Sequence, residues 1–409
     1  MVVQPKEGVM QPDVAAGAVI ERVEVSTFTV DVPDFARNYS SNVVAGSMVY
    51  TPGALYKRPV LMVRIHTADG HVGEYANYAT TGCFDQAVVA GRIALGNKWH
   101  ERELIWRSAR RASRPSNAYG LSFIDIALWD LAGKAYGTSL TRMLGGHRER
   151  VRAYVSCHNG DRLDNLPNKE AVSDFFLGLK EKGFSGFKMH SWHEGDKWEE
   201  AENVAHMRKT LGERSELMLD PACVFDSIHD AIFVGRACQD AGFRWFEDPL
   251  RPLGVGIAQH KALREALDIP ILQTEHVTAP EAKADFFLNG GTDLLRHDVH
   301  YDLGITGALK TIHFAESVGT TVEMHGPSPV QRHLIAAMQQ TAMYEVANVS
   351  PAMSDPSPAI YTCGYSDDVS SIGSDSTMYV PQGPGIGVEY DAELIRRNTV
   401  ASQVITLND

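Results

Sequence analysis

The sequence is poor in the features that mark secreted, membrane-spanning and nucleic-acid-binding proteins. Its five cysteines have no paired spacing and form no C-x-x-C motif, so we expect reduced structural thiols rather than a disulfide framework. No basic run occurs, and a formal net charge of −13 argues against a nucleic-acid partner. No apolar stretch approaches the roughly 18 residues of a membrane span, and the N-terminal residues lack the charged and apolar blocks of a signal peptide. These absences favour a cytoplasmic protein.

From about residue 148 the sequence alternates short apolar segments with amphipathic helical stretches, which is the pattern of parallel βα units. Eight apolar segments can be counted, at residues 151–157, 186–190, 217–220, 245–248, 271–275, 294–298, 321–325 and 343–346. Eight such units predict an α/β barrel. A barrel needs roughly 250 residues, which leaves about 150 of the 409 for a second domain.

The second domain is expected to form from the two ends of the chain. Residues 18–80 show the alternation of β-strands, interrupted by a polar segment, residues 35–53, with the composition of a loop. Residues 121–136 repeat apolar side chains at helical spacing, and Gly137 is a typical stop. After residue 350 the composition becomes that of loops, and the tail is expected to return to the first domain. The predicted bounds are 1–147 for an N-terminal α+β domain, 148–350 for the barrel and 351–409 for the C-terminal segment.

Three acidic residues close three consecutive strands of the predicted barrel. Asp220, Glu247 and Glu275 follow one another at intervals of 27 and 28 residues, the length of one strand plus one helix. Because each βα unit returns the chain to the same rim, the three carboxylates should converge at the C-terminal face, where barrel active sites lie. Oxygen-only ligands suit a hard cation such as Mg²⁺. Any one of the three could be a helix N-cap or a surface acid, but three in register favour a metal site.

Two groups that can transfer protons lie on the strand before Asp220. Lys188 and His190 are two residues apart, so both side chains point to the same face of the strand, inward and towards the predicted metal. One is a candidate base and the other tunes it, because a neighbouring positive charge disfavours protonation. The sequence leaves open which of them is the base. The structural alternative is a lysine with an exposed head and a histidine within the barrel packing.

A second proton-transfer group is predicted on the opposite side of the barrel. His325 ends the seventh strand and Asp298 the sixth, so the carboxylate can hold the imidazole in one tautomer and stabilise its cation. Glu345, on the eighth strand, could donate a hydrogen bond to a developing oxyanion if protonated, or could bind a loop. His297 and His300 flank Asp298 and are expected, by alternation, to point outward or lie in the loop.

Together these residues resemble the mandelate racemase subgroup of the enolase superfamily, and the resemblance covers nearly the whole chain. It rests on Asp220, Glu247 within EDP, Glu275, the Lys188 and His190 pair, Asp298 followed by LGITG, His325, and the helix DIALWDLAGKAYGTSLTRMLGG. The resemblance implies a modified TIM barrel of the (β/α)7β type with an α+β capping domain built from the N-terminal segment and the C-terminal tail. It implies that Asp220, Glu247 and Glu275 bind Mg²⁺, that Lys188 and His190 fill the K-x-K positions, that Asp298 and His325 form a dyad, and that Glu345 is the strand-eight electrophile.

The resemblance also implies removal of the proton α to a carboxylate, with Mg²⁺ stabilising the enediolate. This step puts a second negative charge on the carboxylate, and a metal held by three anions stabilises it most in the transition state. The chain departs from the family pattern at two positions. His190 stands where a second lysine is usual, and Ala222 replaces a polar residue often found two positions after the strand-three ligand, so one substrate contact is missing or moved.

The predicted activity is Mg²⁺-dependent dehydration of a polyhydroxy (sugar) acid to a 2-keto-3-deoxy acid, a hydro-lyase reaction. Racemisation or epimerisation of an α-substituted acid is the alternative. A non-catalytic scaffold would have lost a ligand or a base, whereas every such position is filled. An aldolase or isomerase on an ordinary barrel would not need the dyad and the strand-eight carboxylate. We also expect a homo-oligomer, from dimer to octamer, that binds a small carboxylate and neither nucleic acid nor membrane.

Polar side chains near the barrel mouth favour a hydroxyl-rich substrate. The segment expected to close over the barrel offers Arg37, Asn38, Tyr39, Ser40, Ser41 and Asn42, and the loop after the first strand offers His158, Asn159 and Asp161. Such groups do not make the apolar lining that an aromatic acid would need, and buried polar groups reject a ligand that cannot pair with them. The predicted substrate-binding residues are Arg37, Asn38, Tyr39, His158 and Asn159. The alternative is that they are turn formers on the surface.

Overall fold

The computed structural model describes residues 17–39, 47–251, 254–340 and 342–408, and it begins with an antiparallel sheet. Its first three strands pair in chain order: β1 (Ile20–Asn38), β2 (Ser47–Thr67) and β3 (Val72–Tyr78). Apolar side chains alternate along β1 and are buried at Val23, Val25, Phe28, Val30 and Val32. Val23 and Val25 pack in the cluster that includes the helices, whereas Phe28 and Val30 pack in a second cluster with Ile360 and Ile395, so the strand uses both of its faces.

Helices cover one face of this sheet. They are α1 (Cys83–Ala94), α2 (Arg102–Ala112) and α3 (Tyr119–Tyr136), followed by the short α4 (Leu140–Met143). The helix α3 is buried along most of its length because it lies between the sheet and the barrel. It ends at Gly137, whose φ of 64° is a left-handed conformation that glycine adopts without strain. The predicted helix and its stop are therefore confirmed.

The middle of the chain forms a nearly closed barrel of eight parallel strands in sequential order. The strands are β4 (Arg150–Cys157), β5 (Gly186–His190), β6 (Glu216–Asp220), β7 (Phe246–Glu247), β8 (Ile271–Gln273), β9 (Leu294–His297), β10 (Val322–Met324) and β11 (Tyr344–Val349). The helices between them are α5 (Lys169–Glu181), α6 (Lys197–Leu211), α7 (Ile228–Asp240), α8 (Ile257–Ala266), α9 (Pro280–Leu288), α10 (Ile305–Val318) and α11 (Pro329–Ala337). Eight strands and seven intervening helices confirm the (β/α)7β barrel.

Residues after β11 contact both parts of the molecule. The short strand β12 (Thr377–Tyr379) runs antiparallel to β4 of the barrel. The helix α12 (Ala392–Asn398) then leads to β13 (Thr399–Thr406), which pairs with β1 and becomes the fourth strand of the N-terminal sheet. The chain thus returns to its first sheet, while the segment 351–409 divides between sheet and barrel. The domain bounds given above stay predictions.

The polar segment 35–53 was predicted as a loop, and for most of its described length this is wrong. β1 and β2 continue past the sheet as a two-stranded ribbon, with Phe35 opposite Tyr50 and Asn38 opposite Ser47. Backbone pairing and the buried ring of Phe35, which contacts Tyr50 and His158, form strands in spite of the polar composition. The Tyr50 N–H donates to Asp161, so the ribbon is held against the loop after β4.

Two compositional expectations also bear on the fold. All five cysteines are free thiols, and four of them are buried. None of the helices in the described part of the chain is long and apolar enough to cross a membrane.

Candidate active site

The interior of the barrel is built in layers, because side chains on a strand alternate between its two faces. One layer is apolar and buried, and consists of Tyr154, Met218, Trp245, Leu272 and Met343. Two residues after three of these come Asp220, Glu247 and Glu345. The next layer is therefore ionisable, and it lies at the C-terminal ends of the strands, where barrel active sites are found.

Lys188 lies at the centre of the ionisable layer. Its Nζ is 2.9 Å from Asp220 Oδ2, 3.0 Å from Glu247 Oε2 and 2.9 Å from Glu345 Oε1. Burial and the charge of Arg296 lower the pKa of this amine, but the three carboxylates outweigh both and hold it well above its ordinary value. Lys188 is thus a buried cation that offsets part of the negative charge around it, and its head is not exposed.

His190 follows two residues later and points the same way. Its Nε2 is 3.3 Å from Asp220 Oδ2, and its Nδ1 is 2.8 Å from the carbonyl oxygen of Cys157. Burial lowers the pKa of the imidazole, but Asp220 raises it to about 10. The two side chains of β5 therefore approach the same carboxylate.

Arg296 joins the carboxylates of β7 and β11. This fully buried guanidinium has its Nε 2.8 Å from Glu247 Oε1, pairs through Nη2 with Glu345, and donates from Nη1 to the Tyr154 hydroxyl at 3.1 Å. Glu247 and Glu345 thus share two cations, Arg296 and Lys188. Buried charges are retained only when they are paired in this way.

The carboxylates at the ends of β6, β7 and β8 form a region of excess negative charge. Asp220, Glu247 and Glu275 are buried, and Asp248 lies beside them. Burial raises the pKa of Asp248 well above its ordinary value, and the charges of Glu275, Asp220 and Glu247 raise it further. Its Oδ1 is a buried atom without a hydrogen-bond partner among the described residues. An all-oxygen donor set with surplus negative charge fits a hard divalent cation.

The most compact set of possible ligands differs from the predicted one. Asp248, Glu275 and His276 each bring a ligand atom within 4.8 Å of the others, and within the described ranges this is the one such group. Asp220 and Glu247 instead turn oxygens towards Lys188 and Arg296. The predicted ligands come from three adjacent strand ends, but their oxygens do not meet at one point. Their role as ligands stays a prediction.

The predicted pair on the sixth and seventh strands is in hydrogen-bonding contact. His325 Nδ1 is 2.8 Å from Asp298 Oδ2, while Asp298 Oδ1 accepts the N–H groups of His300 and Tyr301. Burial raises the pKa of Asp298, but these donors and the charge of His325 outweigh it and hold the pKa well below its ordinary value. His325 Nε2 is 3.3 Å from Glu275 Oε1. Burial lowers the pKa of His325, but Glu275 and Asp298 raise it to about 9.

Glu345 is an acceptor in this structure. Its Oε2 accepts the N–H of Gly326, the residue after His325, at 2.9 Å. Burial raises the pKa of Glu345, but Arg296 and Lys188 outweigh it and hold the pKa well below its ordinary value. In these contacts the carboxylate accepts hydrogen bonds, and its role as the strand-eight electrophile stays a prediction.

His297 and His300 lie outside the barrel interior, as alternation predicts. His297 is buried and bonds through Nδ1 to Asp302. His300 lies against the cap, with Nδ1 2.7 Å from Ser122 Oγ and Nε2 3.3 Å from the Tyr75 hydroxyl. Both histidines thus support the loop that carries Asp298.

The predicted substrate contacts of the ribbon occupy different environments. Arg37 donates from Nε to the Tyr56 hydroxyl at 2.8 Å. Asn38 pairs with Ser47 in the ladder, and Tyr39 is exposed. Ser40, Ser41 and Asn42 lie outside the described residues. The binding roles of Arg37, Asn38 and Tyr39 stay predictions.

His158 and Asn159 follow β4 on the other side of the ribbon. His158 is buried against Phe35, and burial together with the charges of His190 and His193 lowers its pKa to about 3. A neutral, enclosed imidazole anchors the ribbon, and it offers little surface to a substrate. Asn159 is half-buried, and its binding role stays a prediction.

Sequence reasoning missed Arg296 and Asp248. A signal for Arg296 was present, because the alternation that turns Asp298 inward also turns inward the residue two positions before it. No comparable signal marks Asp248, which reaches the carboxylates through a backbone turn with φ of 39°. A left-handed turn of this kind follows from the local fold and not from residue type.

A barrel with acidic residues at successive strand ends, flanked by proton-transfer groups, is typical of enzymes that remove a proton from the carbon next to a substrate carboxylate. Residues 172–394 match the family described as Enolase C-terminal domain-like, and residues 42–145 match the Mandelate racemase / muconate lactonizing enzyme, N-terminal domain. The chain therefore belongs to the mandelate racemase subgroup of the enolase superfamily.

Similar proteins include several sugar-acid dehydratases. The L-talarate/galactarate dehydratase of Salmonella typhimurium is 29% identical over 68% of this chain and 70% of its own length. The arabinonate dehydratase of Saccharolobus solfataricus is 25% identical over 65% of this chain and 72% of its own length. The crystal structure of D-glucarate dehydratase from Agrobacterium tumefaciens complexed with magnesium aligns with a TM-score of 0.80 and 27% identity, over 94% of this chain and all of that one.

Proposed function

We propose that this chain is a Mg²⁺-dependent dehydratase of a polyhydroxy (sugar) acid. The substrate loses the proton α to its carboxylate and the hydroxyl of the next carbon, together one water, and the enol formed tautomerises to a 2-keto-3-deoxy acid. One observation carries the proposal: the Asp298 and His325 pair and the Lys188 and His190 pair lie on either side of the strand-end carboxylates. The relatives named as dehydratases of galactarate, arabinonate and glucarate support the same reaction class.

The carboxylates Asp220, Glu247 and Glu275 would hold the ion, with Asp248 beside them. When bound, Mg²⁺ supplies positive charge next to the substrate carboxylate as negative charge grows there. The surplus of buried carboxylates described above supports this assignment, as does the magnesium in the related glucarate dehydratase structure.

His325 is the residue best placed to exchange a proton with the substrate. Its side chain is 31% exposed, whereas that of Lys188 is 1% exposed and enclosed by carboxylates. Asp298 fixes Nδ1, so Nε2 is the nitrogen directed towards Glu275 and the predicted metal. As a neutral base His325 can take the α-proton, and as a cation it can give a proton to the departing hydroxyl. If His325 carries out one of these two proton transfers, Lys188 or His190 on β5 would carry out the other.

The test is a screen of purified protein with Mg²⁺ against a library of acid sugars, with formation of a 2-keto acid as the readout. In D2O the product should carry deuterium at C3. Starting acid that instead becomes α-deuterated and stereochemically scrambled, with no carbonyl product, would favour the racemase alternative.

Metal dependence is checked with the same assay. Exhaustive chelation and the substitution Glu247→Gln should each abolish turnover, because the oxygen shell is left incomplete. The matched control is Glu216→Gln, since Glu216 begins β6 at the opposite end of the barrel and binds Arg152 and Arg244. Full activity after chelation would overturn the metal assignment.

A further inference from the structure

A narrow cavity of about 140 Å³ lies between the capping domain and strands six to eight of the barrel. The cap contributes Arg58, Asn77 and Tyr78 to its wall, and the barrel contributes Asp298, His325 and Gln331 among others. Because Asp298 and His325 form part of this wall, the cavity adjoins the side chain at which the proposed substrate reacts.

The cavity holds a cation without a counter-ion. Arg58, on β2, is half-buried, and its guanidinium carbon lies 3.4 Å from the centroid of the Tyr78 ring. Across the part of the chain that the structure describes, no carboxylate oxygen lies within 4.0 Å of this group, whereas the buried Arg296 and Arg332 each pair with a carboxylate. Burial lowers the pKa of Arg58, which is the electrostatic cost of a cation that is partly removed from water.

A second polar residue in the same wall has one atom without a hydrogen-bond partner. Gln331 is buried, and its amide nitrogen donates to the carbonyl oxygen of His325 at 2.9 Å. Its Oε1 is enclosed without a donor among the residues described. An acceptor and a cation left open in one cavity match a ligand that carries hydroxyl groups and a negative charge.

The proposed function places the reacting carboxylate on a different side of the barrel from Arg58. In the proposed function that carboxylate lies at the ends of β6 to β8, beside Lys188, whereas Arg58 reaches the cavity from the cap on the side of β9 to β11. We infer that Arg58 binds a second, distal carboxylate, so that the substrate is a sugar diacid rather than a sugar monoacid. This inference rests on the proposed function and narrows its substrate class.

Matched pairs of acids test the inference. Galactarate and glucarate differ from galactonate and gluconate only at C6, where a carboxylate replaces a hydroxymethyl group. The wild-type protein should dehydrate at least one diacid with a kcat/KM about 10- to 100-fold above that of its monoacid, the scale of one hydrogen-bonded charge pair. Arg58→Gln should remove this preference mainly by raising KM for the diacid, and Arg58→Lys should restore part of it.

The control is Lys57→Gln, which removes one positive charge from the neighbouring residue of the same strand. Lys57 is exposed and pairs with Asp31, so its substitution should leave the diacid preference unchanged. Dehydration of monoacids in preference to diacids, or a diacid preference that survives Arg58→Gln, would overturn the inference and leave the proposed function standing. Failure to dehydrate any acid of either class would count against the proposed function itself.

Discussion

Removal of the Arg296 guanidinium should destabilise the barrel more than removal of any exposed arginine. The substitution Arg296→Met keeps most of the side-chain volume but deletes the charge that pairs with Glu247 and Glu345. Both carboxylates are buried, so each would be left with Lys188 as its main cation. An uncompensated buried charge cannot be solvated by water, and the folded state bears the cost.

The size of the effect on the melting temperature follows from the cost of breaking a buried ion pair and from the entropy of unfolding. Breaking a buried ion pair from one side costs about 3–5 kcal/mol. Unfolding entropy near the melting temperature is about 2.1 cal/mol/K per residue, or about 0.9 kcal/mol/K for 409 residues. The midpoint of thermal unfolding should therefore fall by about 3–6 °C.

The assay is a thermal melt of wild type and variant with and without saturating Mg²⁺. The difference in melting temperature between wild type and variant should be smaller with Mg²⁺, because the ion supplies positive charge near Glu247. Arg152→Met is the control, since Arg152 is 47% exposed and its ion pair with Glu216 should be worth at most about 1 kcal/mol. If the Arg296→Met variant melts at the same temperature as the wild type, Glu247 and Glu345 are neutral in the folded protein. The variant then leaves no buried charge uncompensated, and the prediction is wrong.

Two further predictions concern the dyad and pH dependence. Asp298→Asn and His325→Asn should each lower kcat by orders of magnitude while the double variant loses little more, because the two residues act as one unit; additive losses in steady-state kinetics would show that they act independently. Glu200 is enclosed, and burial raises its pKa to about 8, above an unfolded value near 4.3. Its contribution to stability is therefore present below about pH 4.3 and lost as the pH rises to about 8. Glu200→Gln should flatten the fall in melting temperature between about pH 5 and pH 8, and an unchanged slope would argue against a protonated Glu200.

The sequence predicted the barrel strands well because two regular signals coincide there. Apolar segments recur at the spacing of βα units, and single acidic or basic residues end them. That regularity predicted the contact between Asp298 and His325, because the C-terminal ends of adjacent parallel strands lie side by side whatever the loops between them. The comparisons bear out the predicted superfamily and the dehydratase class.

The ribbon and the inner charge network were not predictable in the same way. Residues 35–38 lie in a segment of loop-like composition, and their strand conformation comes from pairing with residues 47–50 and from Phe35 packing on the barrel loop. Such contacts join distant parts of the sequence and leave no local pattern. The partners of Lys188 likewise depend on side-chain rotamers across four strands, which periodicity does not specify.

The pairing of β13 with β1 has a consequence for how the molecule is made. Arg22 and Thr406 are partners in this ladder, so the N-terminal sheet cannot be completed until almost the whole chain has been synthesised. At roughly 5–20 residues per second, translation between these two positions takes about 20–80 s. During that interval the edge of β1 opposite β2 has no strand beside it, whereas the last strand of the barrel ends at Val349, before β13 begins. β1 is thus separated from its second neighbour by a longer stretch of chain than any barrel strand is from the strands it pairs with.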